Sequence, residues 1–196
     1  MASNVEICNM SLSHIGHKRI LSLDENTSTS RACKDAFNII RDASLRDGNW
    51  KFATLSVPLA PIDESVPGFL YIYKQPSDCL KLLKVFNEAT VSNPIPQNFE
   101  PTLSPLTQVQ SIVTDVETAW AKYIKRVTDP NLFDAKFVEY FSYRLSAALA
   151  VPLTGDMQKA QAMMQVSRTV LAEADLINGR EGSQQKPSYS SLLQSR

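Results

Sequence analysis

Glycine is scarce, with 6 residues in a chain of 196 and none of them clustered. Neither a G-x-x-x-x-G-K-[ST] phosphate loop nor a G-x-G-x-x-G dinucleotide turn is present, since both need glycines to bring backbone N–H groups close to a phosphate. H-E-x-x-H and G-x-S-x-G are missing too, which removes the zincin and nucleophile-elbow signatures. Cys8, Cys33 and Cys79 are odd in number and form no C-x-x-C; they outline neither a disulfide framework nor a zinc site and fit a reducing compartment. No apolar run approaches the ~20 residues of a membrane span, and the N-terminus has no basic segment leading into an apolar one, so a soluble chain is expected. Net charge is absent as well: 20 basic side chains balance 20 acidic ones. General affinity for nucleic acid or anionic lipid is therefore not expected, while close packing of identical copies is permitted.

What is present is a sizeable apolar fraction, 43%, in a chain long enough to bury roughly 70% of its unfolded surface. Its most informative stretch runs from Arg126 to Val138, where the hydrophobic period changes from two to about 3.6. Asp129 is the expected cap and Pro130 the expected first-turn residue of the helix that follows. The reverse change occurs at Asp47-Gly48-Asn49-Trp50, with Gly48 expected as a left-handed helix cap.

Before that seam, helices are expected from about Asn4 to Ile15, capped by Ser3 and ended by Gly16, and from about Thr29 to Asp47, with Cys33, Ala36, Phe37, Ile40 and Ala43 on its apolar stripe. After the junction, Phe133, Phe137, Tyr140, Phe141, Leu145 and Leu149 mark a third helix, broken by Pro152 and Gly155. Ala160, Met163, Ser167, Val170, Leu171 and Ala174 mark a fourth, ending near Asn178-Gly179. Between the seams, strand patterns occur at Trp50–Val57, Gly68–Tyr73, Cys79–Phe86, Gln110–Thr114 and Trp120–Val127, with a short edge strand near Phe99 and a breaker-rich loop from Pro58 to Pro67. Four or five short strands in one small sheet or sandwich are expected. The fold class is thus α+β: residues 1–49 form a helical hairpin, 50–127 an inserted antiparallel β domain, 128–179 a second hairpin completing a four-helix core, and 180–196 a flexible tail.

Few side chains offer chemistry. His14 and His17 sit three apart at a helix end, but Gly16 lies between them and no third ligand is near in sequence. Cys33 with His17 is a nominal nucleophile and base, although Cys33 falls on an apolar stripe. Tyr71, Tyr73, Trp120 and Tyr123 can stack bases or sugars, yet half-buried strands favour the same residues. Asp24, Glu25 and Glu64 are loop carboxylates of the type that cleave glycans. Lys122, Lys125 and Arg126 are the densest basic cluster, small for nucleic-acid binding by one copy. No catalytic residue, cofactor or metal is expected from these patterns; a glycan hydrolase and a DNA-binding virion protein stand as the alternative functions.

Val5-Glu6-Ile7-Cys8-Asn9-Met10-Ser11-Leu12-Ser13-His14-Ile15-Gly16, Ile20 to Glu25, Arg41 to Ala53, Gln75 to Lys81, Tyr123 to Asp134 and Ser190 to Arg196, in that order, resemble the tail tubular protein A family, the head-to-tail adaptors of short-tailed bacteriophages. The resemblance covers essentially the whole chain. It implies a structural protein that assembles as a ring of twelve copies between the portal protein ring and the tail nozzle protein. DNA passes through that channel without sequence-specific binding. The implied place is the head–tail junction of the virion, after synthesis in the host cytoplasm. The family has no agreed catalytic residues to carry over. Where members often have a Trp near the terminal Arg, this chain has Ser191-Leu192-Leu193. Its polar tail carries one apolar group, and Tyr189, Leu192, Leu193 and Arg196 are the expected portal-docking residues.

Overall fold

The computed structural model describes residues 3–88 and 95–180. Four α-helices and two antiparallel sheets make a mixed α and β fold: α1 (Asn4–His14), α2 (Ser28–Asp47), β1 (Thr54–Pro58), β2 (Ala60–Ile62), β3 (Tyr71–Lys74), β4 (Cys79–Asn87), β5 (Phe99–Leu103), β6 (Gln110–Thr114), β7 (Ala119–Lys125), α3 (Ala135–Thr154) and α4 (Met157–Arg180). Among the described residues seven strands form where four or five were expected. Residues 181–196, with Tyr189, Leu192, Leu193 and Arg196, lie outside the described residues.

Helix starts follow local chemistry. Ser3 and Glu6 close a capping box, the Ser3 hydroxyl accepting from the Glu6 N–H at 3.1 Å and the Glu6 carboxylate accepting from the Ser3 N–H at 2.6 Å. Thr27 accepts from the Ser30 N–H at the head of α2, and Asp156 accepts from the Lys159 N–H at the head of α4. Gly155 ends α3 at φ 67°, a left-handed position that a side chain would strain.

Four expectations are corrected, three of them at the seams. Asp129 and Pro130 do not begin the long helix. Asp129 caps a single 3-10 turn, Pro130–Leu132, and α3 starts only at Ala135, where Asp134 accepts from the Lys136 N–H at 2.8 Å. Two Asp caps within six residues compete, and the later one leads into the apolar stripe. Pro152 does not break α3, which continues to Thr154. Only one intrahelical donor is lost so close to the end, and the Gly155 N–H still closes on the Val151 carbonyl at 2.9 Å. Gly48 is not left-handed but extended, at φ −102°. A Cβ there would lie 2.6 Å from Trp50 Cε2, so the glycine is required by the indole packed on it. Trp50 itself leads into a 3-10 turn, Lys51–Ala53, and β1 begins at Thr54 instead of Trp50.

The strand order is β1-β7-β4 in one sheet and β2-β3-β6-β5 in the other. The chain passes from the first sheet to the second at buried Leu59, between β1 and β2. β2 occupies the Pro58–Pro67 stretch that reads as loop. Its Pro61, like Pro58 of β1 and Pro101 of β5, lies on an edge strand, where a missing N–H removes no ladder bond. The remaining edge, β4, is interrupted by register shifts after Cys79 and Leu82 and carries Lys81 and Lys84. All four edges are thereby poor templates for a further strand.

Two apolar clusters result. The larger draws Ile7, Cys8 and Leu12 from α1, Cys33, Phe37 and Leu45 from α2, Phe137, Phe141, Leu145 and Leu149 from α3, and Val170 and Ala174 from α4, together with Trp50, Ala53, Ile124 and Val127. The smaller, with Tyr73, Val85, Ile112, Ala119 and Ala121, lies between the sheets. α4 runs through Gly179 to Arg180, slightly past the end its sequence implies.

Candidate functional site

The two seams of the sequence meet in space around Trp50. Its indole is 2% exposed and donates to the Ser44 carbonyl at 3.0 Å. Around it stand Phe137 at 5.1 Å, Tyr140 at 5.7 Å and Phe52 at 6.3 Å between ring centroids, and Phe52 in turn meets Phe133 at 6.0 Å. The first residues after α2 and the first residues of α3 therefore share one aromatic cluster.

Charged groups brace the same region from outside. Asp42 on α2 accepts from Arg41 with Oδ1, at 2.7 and 2.9 Å, and from Nε of Arg126, just after β7, with Oδ2 at 2.8 Å. Arg46 donates to the Leu80 carbonyl of β4 at 3.1 Å. Asp47 accepts from the Tyr140 hydroxyl at 2.6 Å and from Arg144 at 2.7 Å. Burial, then the bond to Asp47, pushes the Tyr140 hydroxyl pKa well up. At the start of β4, Asp78 accepts from the Tyr123 hydroxyl at 3.0 Å, and its carbonyl accepts from the Arg126 N–H at 2.7 Å. Burial and that carboxylate push Tyr123 up to about 12. Beside the seam opens a groove of about 690 Å³, with Arg46, Lys81 and Arg126 on its wall and Leu80, Phe99 and Leu103 among its apolar residues. Chemically this is a brace that positions strands against helices.

The groups that sequence offers for catalysis are not assembled. Cys33 is buried, and its free thiol is hydrogen-bonded to the free thiol of Cys8, not paired with His17; this contact, with burial, pushes the Cys8 thiol up. Lys34 holds the Asp24 carboxyl below its usual range, and the Ser104 hydroxyl does the same for Glu64. A general acid requires the opposite shift. Glu25 accepts from the Ser22 N–H at 2.8 Å as a turn-forming group. Tyr73 is buried with its hydroxyl donating to the Val116 carbonyl at 2.7 Å, and Trp120 stacks on Phe86 at 6.4 Å, so the four aromatics form no open platform. Of the basic cluster, Arg126 is tied to Asp42 and Lys125 lies 3.8 Å from Asp78. Among the described residues, no group of three or more His, Cys, Asp and Glu is placed to hold a metal ion, and no helix is long and apolar enough to cross a membrane. The Asp42 brace was missed in sequence because Asp42 and Arg126 are 84 residues apart; only the oddity of a buried Arg41 in a helix could have signalled it, and burial is not legible from one sequence.

His14 stacks on Tyr143 at 4.1 Å, with Nε2 3.1 Å from the Ser142 hydroxyl. Burial lowers its pKa from 6.5, against a smaller opposing effect of Glu139. The folded state thus favours neutral imidazole, and the unfolded chain binds its proton first on acidification. Stability should fall as pH drops below about 6.5 and stop falling from this source once folded His14 is itself protonated. Urea midpoints between about pH 7 and 5.5 should show this step in the parent protein and a flatter profile in His14→Phe.

Comparison with protein-family models and with curated proteins returned no match.

Proposed function

We propose that the protein is a head-to-tail adaptor of a short-tailed bacteriophage, of the tail tubular protein A type. In this reading the two chain ends build one four-helix body, residues 50–127 are a β domain inserted into it, and copies assemble as a ring, of twelve, between portal and tail nozzle. DNA leaves through the channel without sequence-specific contact. The helices face the portal, the sheets face the nozzle, and the tail with Tyr189, Leu192, Leu193 and Arg196 docks on the portal. The role is structural and requires no catalytic residue, metal or cofactor.

The observation that carries this reading is the division of the apolar residues. All four helices contribute to one cluster, the sheets enclose a second, and the Trp50 aromatics with the Asp42 brace fix the angle between them. A positioning element needs such an angle; a catalyst needs a cleft with shifted acids. The resemblance along the whole chain then names the kind of positioning.

The test is attachment to isolated portal rings. Full-length protein should decorate the rings and a chain ending at Gly179 should not. No attachment by the full chain would refute the adaptor, and equal attachment by the shortened chain would refute docking through the tail.

A further inference from the structure

β7 is the central strand of its sheet, and successive side chains of a strand point to opposite faces. Ala119 and Ala121 of β7 and Val85 of β4 turn toward the second sheet and join the smaller apolar cluster. Lys122 and its cross-strand partner Lys84 therefore lie on the other face, with Ser56 of β1 on the far side of Lys122. Both lysines are exposed, and among the described residues neither forms an ion pair. Like charges directly opposite one another destabilise a sheet. Edge protection accounts for Lys84, since β4 is an edge strand, but not for Lys122 on the central one. Two more cations stand beside the pair. Lys81, also on β4, and Arg46 of α2 line the groove of about 690 Å³ and reach only neutral oxygens, Asn49 Oδ1 at 3.4 Å and the Leu80 carbonyl at 3.1 Å. Among the described residues no Asp or Glu lines that groove. The acid nearest to Lys84 along the chain is Glu88, about 13 Å further along the strand direction.

We propose that this face binds an acidic, extended segment of another protein, whose carboxylates bridge Lys84 and Lys122. A carboxylate between the two ammonium groups replaces one repulsion by two attractions, so the sheet is relieved on binding. The uncompensated cations, in a chain whose charges otherwise balance, set the sign of the partner. Their number sets its class. A protein held on duplex DNA by charge makes about 6–10 phosphate contacts, and one copy offers here only Arg46, Lys81, Lys84 and Lys122. A peptide strand with acids at alternate positions carries them all on one side, about 7 Å apart. That spacing suits two lysine side chains rooted about 5 Å apart on neighbouring strands. The contact needs neither a ring nor a portal, so it and the adaptor reading can fail separately.

The probe is a fluorescein-labelled octapeptide of alternating Glu and Ser, titrated with the full chain at low salt and read by anisotropy. It should bind, and binding should weaken as salt is added. Lys84→Glu and Lys122→Glu should each weaken it about tenfold. Lys18→Glu makes the same charge change on the exposed loop after α1 and should leave binding unchanged. In the free protein Lys84→Glu should raise the urea midpoint, because an opposite-charge pair replaces a like-charge one. A peptide that does not bind, Lys18→Glu as damaging as Lys84→Glu, or a lowered midpoint in Lys84→Glu overturns the proposal. So does duplex DNA bound more tightly than the peptide at equal anion concentration, since the face then belongs to nucleic acid.

Discussion

Trp50→Ala should be among the most damaging single substitutions in the chain, costing about 3–5 kcal/mol of stability. The side chain is almost wholly buried, joins the residues after α2 to Phe137 and Tyr140 of α3, and satisfies the Ser44 carbonyl. Its removal leaves a cavity bounded by elements from both sides of the seam, which have no common backbone through which to collapse. Equilibrium urea unfolding measures the loss. Gly48→Ala approaches the same contact from the other side, since its Cβ would lie within 2.9 Å of three indole atoms. It should cost about 1–3 kcal/mol as an overpacking defect. If Gly48→Ala were neutral in Trp50→Ala and costly in the parent protein, the indole would be identified as the reason for the glycine.

Asp42→Ala is the second large effect expected, about 2–3 kcal/mol, because it removes the carboxylate from Arg41, a residue only 6% exposed. Asn38, which accepts from Arg41 at 2.8 Å, keeps the cost below that of a fully orphaned charge. Asp42 also holds Arg126, so the substitution frees the end of β7 from α2. Arg126 is 45% exposed at its side chain, and its pairing should contribute less than about 1 kcal/mol. A double-mutant cycle between Asp42→Ala and Arg126→Ala should therefore show weak coupling, and one between Asp42→Ala and Arg41→Met strong coupling. Equal coupling in both cycles would mean that the brace across the seam carries as much of the energy as the buried arginine.

What sequence could say followed from short-range physics. Helix faces were legible because burial repeats every 3.6 residues: Cys33 and Phe37, Phe137 and Phe141, and Ser167, Val170 and Ala174 all point inward as their spacing requires. Caps at Ser3, Asp156 and Gly155 were legible because a cap depends on neighbours within four residues. β4 and β6 were legible from runs of strand-forming side chains. β2 was not, because Pro61 signals a break unless the strand is known to lie at an edge, and edge position is a property of the sheet. The start of α3 was misplaced for a related reason: Asp129-Pro130 and Asp134 are both good caps, and the packing of Phe133 against Phe52 decides between them.

By itself, then, the sequence determined four amphipathic helices flanking a strand-rich middle, the absence of recognised nucleotide, protease and esterase signatures, and a family resemblance. Each of these is encoded in residue types a few positions apart. Only the tertiary structure decided that the chain divides its strands between two sheets, that Gly48 serves the Trp50 indole, and that Asp42 reaches Arg126. Those outcomes depend on which distant surfaces meet, and an extended chain carries no local pattern for a contact 84 residues away.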